Sequence, residues 1–228
     1  MHQTSILTIQ LLDLKIKNDP DNKLDMYRDV RNITNEHLAV FTEAGIDPDI
    51  FHNDDIKYSG IQLSRHKGAA EWTAIGTQEV KALKLWYNII KEENKIPLNN
   101  TVEIIETYTP EFLNYLRKYR IRTLLISDDL AKELNDMKDK FARYDRLEKY
   151  LYGNIQRFMI HIAYEHSKEA NFLKVVVTDL HYHDKAHKVY HDQKKTAVDV
   201  RFECNFLLPQ TVRLGQSTAL GYGKVNHV

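Results

Sequence analysis

The chain has 228 residues, 43% of them apolar and 28% charged, which is enough to build a core, and its 32 Lys and Arg are matched by 32 Asp and Glu. A formal charge of zero provides no whole-molecule field for a polyanion, and no apolar run reaches the roughly 18 residues a membrane helix needs. The single cysteine, Cys204, excludes an internal disulfide, and "MHQTSILTIQ" lacks the charge and cleavage pattern of a secretory signal, so a cytoplasmic protein without membrane partners is expected.

Charge is unevenly spread. Residues 1–55 carry five basic against eleven acidic side chains, whereas 112–153 carry ten against seven and 174–228 eight against five, so any basic surface is local. From the start, "SILTIQLLDL" reads as a buried strand closed by the turn-forming "NDPDN". A helix follows, with Thr34 as N-cap, Leu38 and Phe41 on one face and Gly45 as a left-handed C-terminal cap. "YSGIQLSRHKGAAEWTAIG" alternates on both sides of Lys67-Gly68 and predicts a hairpin. Val80, Leu83, Trp86, Tyr87 and Ile90 share a helical face capped by Thr77, and "TVEIIETY" supplies another strand. The order βαββαβ is ferredoxin-like, an antiparallel sheet with both helices on one face.

The pattern restarts at "RKYRIRTLLIS", a strand with Arg120 and Arg122 on one side. Apolar residues from Leu130 through Leu134, Phe141, Leu147, Leu151 and Phe158 to Ile162 recur every three or four positions and predict one long helix, in which Gly153 invites a break. "NFLKVVVTDLHYH" and "TAVDVRFECNFLLP" form a long hairpin, with Val198, Val200, Phe202, Cys204 and Phe206 inward and Asp199, Arg201 and Glu203 outward. Between Pro209 and Gly215 there is no room for another full helix. The expected fold is therefore α+β: two tandem ferredoxin-like (RRM-like) units with antiparallel sheets, residues 1–110 and 111–228, the second lacking a full second helix.

"VRLGQSTALGYGKV", residues 212–225, concentrates Gly215, Gly221 and Gly223 ahead of Lys224 in a chain with only eight glycines. The spacing fits neither a P-loop nor a dinucleotide fingerprint. Two readings stay open: exposed amides that, with Ser217, Thr218 and Lys224, meet successive phosphates, or glycines that only serve tight turns.

Two ferredoxin-like units ending in G-x5-G-x-G-[KR]-V resemble the CRISPR-associated RAMP superfamily, specifically its Cas-six type repeat-RNA processing endoribonucleases. "IFHNDD", the hairpin and helix of "YSGIQLSRHKGAAEWTAIGTQEVKALKLW", "LEKYLYGNIQRFM" and the final glycine stretch match that pattern in order and cover essentially the whole chain. The resemblance implies metal-independent cleavage of CRISPR repeat RNA into guide RNAs, with no cofactor and no metal. In that chemistry the 2′-OH attacks the adjacent phosphate and leaves a cyclic phosphate and a 5′-OH. His52 is the implied general acid or base, with Lys57 and Tyr58 as donors to the phosphate or the leaving oxygen. A surface or capping role for His52 stays open, as does His37 as the alternative. Asp54 stands where the family pattern allows a second histidine; it would orient His52 yet repel a phosphate.

Implied RNA contacts are Arg65 and Lys67 at the hairpin, Arg120 and Arg122 in the second unit, and Arg213, Gly215, Gln216, Ser217, Gly221, Gly223 and Lys224 in the glycine stretch, with Tyr222 as a stacking residue. The resemblance leaves open a homodimer, and a non-catalytic RNA-binding role as a subunit of a CRISPR effector complex. His181, His183, His187 and His191 could instead enclose Zn²⁺ or Ni²⁺, although their spacing matches no established zinc motif; an RNA-contacting hairpin or a solvated loop is the other reading.

Overall fold

A computed structural model describes residues 3–15, 32–51, 58–93, 100–164, 172–183, 187–188 and 194–228. It divides into two units, residues 3–108 and 109–228.

In the first unit, the strand β1 (Thr4–Lys15) lies between β3 (Ala69–Ile75) and β4 (Thr101–Tyr108), and β2 (Ile61–His66) pairs with β3, giving the order β2-β3-β1-β4 with all pairings antiparallel. Alternation along these strands sends Leu7, Ile9, Leu11, Leu63 and Trp72 into a core with Phe41 of helix α1 (Leu38–Glu43) and Leu83, Trp86 and Ile90 of helix α2 (Thr77–Glu92). Trp72 and Trp86 meet at 5.4 Å between ring centroids. The two-residue turn expected at Lys67-Gly68 is present, with both residues at positive φ (48° and 88°), as a type I′ hairpin requires. Gly45 caps α1 at φ 68°, where Ile46 donates its N–H to Phe41 O at 2.9 Å.

Two caps differ from expectation. Thr34 lies inside a helical stretch at 32–36 and is buried, while His37 occupies the N-cap position of α1. Thr77 is the first helical residue of α2, and Gly76 precedes it as N-cap.

The second unit is built from β5 (Phe112–Ile126), α3 (Asp128–Asp136), α4 (Lys140–His161), β6 (Val175–Tyr182), the short β7 (His187–Lys188), β8 (Lys194–Phe206) and β9 (Val225–His227). The sheet order β6-β8-β5-β9 repeats the first unit's arrangement, with a single 3-10 turn at Thr218–Leu220 where the second helix would stand. Val198, Val200, Phe202, Cys204 and Phe206 of β8 are all buried, as are Leu130 and Leu134 of α3 and Leu147, Leu151, Ile155 and Phe158 of α4.

The long helix expected across residues 130–162 is two helices. Met137 is extended, Ser127 caps α3 by accepting from Leu130 N–H, and Asp139 caps α4 by accepting from Phe141 and Ala142 N–H, each at 3.2 Å. The capping aspartate wins over the apolar stripe, and Phe141 is left 77% exposed. Gly153, by contrast, lies within α4 without interrupting it. No helix among the described residues is long and apolar enough to cross a membrane.

Candidate nucleic-acid interface

The outer face of the second sheet owes its side-chain arrangement to register. Arg120 of β5 stands opposite Arg201 of β8 on one side and Asn226 of β9 on the other, so the three form a row across adjacent strands. Arg120, Arg122, Arg201, Asn226, His227 and Val228 line a cleft of about 380 Å³. Sequence patterning reads Arg201 as outward-facing and nothing more; only its register partner joins it to Arg120.

A bulge shapes this part of β5. Thr123 takes a positive φ of 59°, and the pairing with β8 shifts between Ile121 and Leu124. The freed Thr123 N–H donates to Asp199 Oδ1 at 3.1 Å, and Asp199 also accepts from His183 Nε2 at 2.7 Å and Arg120 Nη2 at 3.3 Å. Partial burial alone would raise the Asp199 pKa, but the bonds from His183, Thr123 and Arg120 outweigh it and hold the carboxyl below its ordinary value.

On the side of the sheet where Tyr119 is buried, Arg117 Nη2 lies 3.0 Å from His227 Nδ1, and His227 Nε2 lies 2.7 Å from Leu208 O. A carbonyl only accepts, so Nε2 carries the hydrogen and Nδ1 accepts from Arg117.

The glycine stretch turns out to serve the fold. Gly215, Gly221 and Gly223 all have positive φ (97°, 81° and 77°). A Cβ on Gly215 would come within 2.5 Å of the Leu124 side chain and 2.9 Å of Leu125 O, and one on Gly223 would fall on Leu214 O. The amides expected to face phosphates are committed internally. Gly215 N–H donates to Asn154 Oδ1 (3.1 Å), Gln216 to Leu125 O (3.0 Å), Gly221 to Thr218 O (2.9 Å) and Gly223 to Thr123 O (3.2 Å). Arg213, expected on RNA, is 1% exposed and donates from Nη1 to Thr211 O at 3.1 Å. Tyr222 packs on Leu125 and Ala197 and is half-buried, which raises its pKa, rather than standing free to stack on a base. Ser217, at φ 54°, and Lys224, which bridges Arg213 through the backbone, remain partly exposed.

His52 and Lys57 lie outside the described residues, as do His191 and the side chains of Arg65 and His187. Tyr58 is half-exposed and accepts from Gln62 Nε2 at 3.0 Å, and Lys67 is exposed in its turn. His37 Nε2 pairs with Glu93 at 2.9 Å. His181 pairs with Asp179 at 3.1 Å and His183 with Asp199, and among the described residues no three His, Cys, Asp or Glu gather as a metal site would require.

The family described as the Cas6b C-terminal domain matches residues 111–228. No curated protein sequence matches the chain. Among solved structures, a Cas6b crystal structure is similar with a TM-score of 0.67 at 18% identity, covering 99% of this chain and 100% of that one. A second Cas6b, described as a CRISPR RNA processing endoribonuclease, gives 0.66 at 16% identity over 99% and 100%. Csf5, a type IV Cas6 crRNA endonuclease, gives 0.58 at 14% identity over 99% of both chains. These likenesses extend the shared fold over both units, and with more than half its length matched by the family, including every residue of the arginine cleft, the chain belongs to the Cas6b family.

Proposed function

We propose that the protein is a cytoplasmic, metal-independent endoribonuclease that cuts CRISPR repeat RNA into guide RNAs. The observation that carries the reading is the Cas6b match over the unit whose sheet displays Arg120, Arg122 and Arg201. Two structures that share the fold are described as enzymes that process CRISPR RNA, which supports the same substrate class here.

RNA supplies its own nucleophile. As the 2′-oxygen bonds to phosphorus and loses its proton to a base, the bond from phosphorus to the 5′-oxygen breaks and an acid returns a proton to that oxygen. The products are a 2′,3′-cyclic phosphate and a 5′-OH. His52 serves as base or acid, since its ordinary pKa near 6.5 suits both roles at cellular pH, and such a group contributes roughly 10²–10⁴ in rate. Lys57 and Tyr58 donate to the phosphate and to the leaving oxygen, while the arginines of the second unit hold other phosphates of the strand.

Labelled repeat RNA incubated in EDTA tests the reading. Wild type is expected to cut it, leaving 5′ ends that a kinase phosphorylates without prior phosphatase, and His52→Ala to slow cleavage by about 10² or more. RNA left intact by wild type would remove the enzyme, whereas a His52→Ala variant as fast as wild type, with His37→Ala slow, would move the role to His37.

A further inference from the structure

The outer face of the second sheet sets Arg120, Arg122 and Arg201 among the carboxylates of Asp199, Asp179 and Glu203. Arg120 and Arg201 stand directly opposite each other, and like charges so placed destabilise a sheet. Asp199 is already engaged by Arg120, Thr123 and His183. Asp179, opposite Arg201 on β6, accepts from Leu180 N–H and from His181, each at 3.1 Å. Among the described residues, Arg122 and Arg201 make no ion pair.

Both His227 ring nitrogens are occupied, so the ring holds β9 in place from the Tyr119 side and has no nitrogen left for proton transfer. A cleft of about 380 Å³ is at the small end of ligand pockets, suited to a phosphate with its sugar and too small for a duplex. A planar guanidinium meets a phosphate with two parallel hydrogen bonds and sheds its hydration more readily than an ammonium does. The amides of Gly215, Gln216, Gly221 and Gly223 are committed to the fold and do not hold a phosphate.

We infer that Arg122 and Arg201 seat one phosphodiester of a single RNA strand on the open face of the second sheet, beside Arg120 and Asn226. The inference rests on the proposed reading of RNA as substrate and adds Arg201 to the residues that hold it. The contact is to backbone, so it positions the strand without reading its sequence.

The test is binding of the full chain to a labelled 2′-O-methyl repeat oligonucleotide, which the proposed chemistry cannot cut, followed by anisotropy across about 50–300 mM salt. Arg122→Ala and Arg201→Ala are each expected to raise Kd about tenfold and to lower the slope of log K against log salt by about 0.7. Arg201→Lys restores the slope but only part of the affinity, because the forked contact is lost. Lys149→Ala, on α4 and 69% exposed in a pair with Asp145, is expected to change neither. Unchanged affinity and slope in both alanine variants would overturn the seat, as would an equal loss in Lys149→Ala. If wild type binds and cuts repeat RNA while the arginine variants match it, the seat alone falls; if wild type binds no RNA, the seat and the proposed function fall together.

Discussion

Arg117 donates to His227 Nδ1 at 3.0 Å while the opposite ring nitrogen donates to Leu208 O, so one imidazole ties β5 and the segment after β8 to β9. The ring also meets Tyr119 edge-on at 5.3 Å. His227→Phe keeps that aromatic contact and removes both hydrogen bonds, leaving the Leu208 carbonyl without its donor. A loss of about 1–3 kcal/mol is expected, read as a lower midpoint in denaturant unfolding. An unchanged midpoint would show that the ring does not brace the strand.

Gly223 and Gly153 respond oppositely to the same methyl group. Gly223→Ala puts a side chain at positive φ and drives its Cβ onto Leu214 O, within the loop that Leu214 N–H closes by bonding Gly223 O at 3.0 Å. A loss of about 3 kcal/mol or more is expected. Gly153→Ala finds nothing within 4 Å and lies inside α4, where Ala is the better helix former, so a gain of about 0.5–1 kcal/mol is expected. Thermal unfolding of the two variants checks both signs.

Asp199 gives the protein an acid-side dependence. Its folded pKa is depressed by His183, Thr123 and Arg120 against the opposing effect of burial, so its contribution is complete above the unfolded value and lost as pH falls through the folded one. In Asp199→Asn the loss of stability with acidification from about pH 5 downward is expected to flatten. Denaturant midpoints across that range, compared with wild type, decide it; parallel curves would contradict the assignment.

At the alkaline end, the buried Tyr119 and Cys204 and the half-buried Tyr150 act together. Burial raises Tyr119, Tyr150 and Cys204 each to about 12. Their neutral forms are favoured in the fold, so that stabilisation is intact below their ordinary values and is lost as pH rises toward 12. Unfolding followed by circular dichroism is expected to coincide with the late tyrosinate absorbance. Tyr119→Phe removes one titration but also strips Leu208 N–H of its acceptor and Phe206 O of its hydroxyl donor, both at 3.1 Å, leaving that carbonyl only the weaker Cys204 thiol. Its midpoint at neutral pH should therefore fall while the alkaline transition becomes shallower.

Both sheets were legible because they rest on local signals: alternation along each strand, Lys67-Gly68 at positive φ, and too few residues after Pro209 for a helix. The gap at Met137 was not, because apolar spacing carries on through it and only the competition between Asp139 as a cap and Asp139 as a helix residue decides the outcome. Glycine content announces an unusual backbone but not what approaches it. At Gly215 and Gly223 the neighbour is the chain itself, so the expected row of bare amides became a set of internal hydrogen bonds. Arg120 and Arg122 were legible as a cluster, whereas Arg201 joins them only through pairing across residues far apart in the chain.

The pairing of β9 with β5 makes the order of synthesis matter. Asn226 Nδ2 reaches Arg120 O across 106 positions of sequence, one of the longest-range closures in the second unit. On the ribosome β5, α3, α4, β6 and β8 emerge and can assemble while that sheet edge is still bare. Until residues 225–227 arrive, Arg117 has no imidazole to hold and the cleft has no far wall. The nascent protein thus acquires its first sheet well before it acquires the surface proposed to grip RNA.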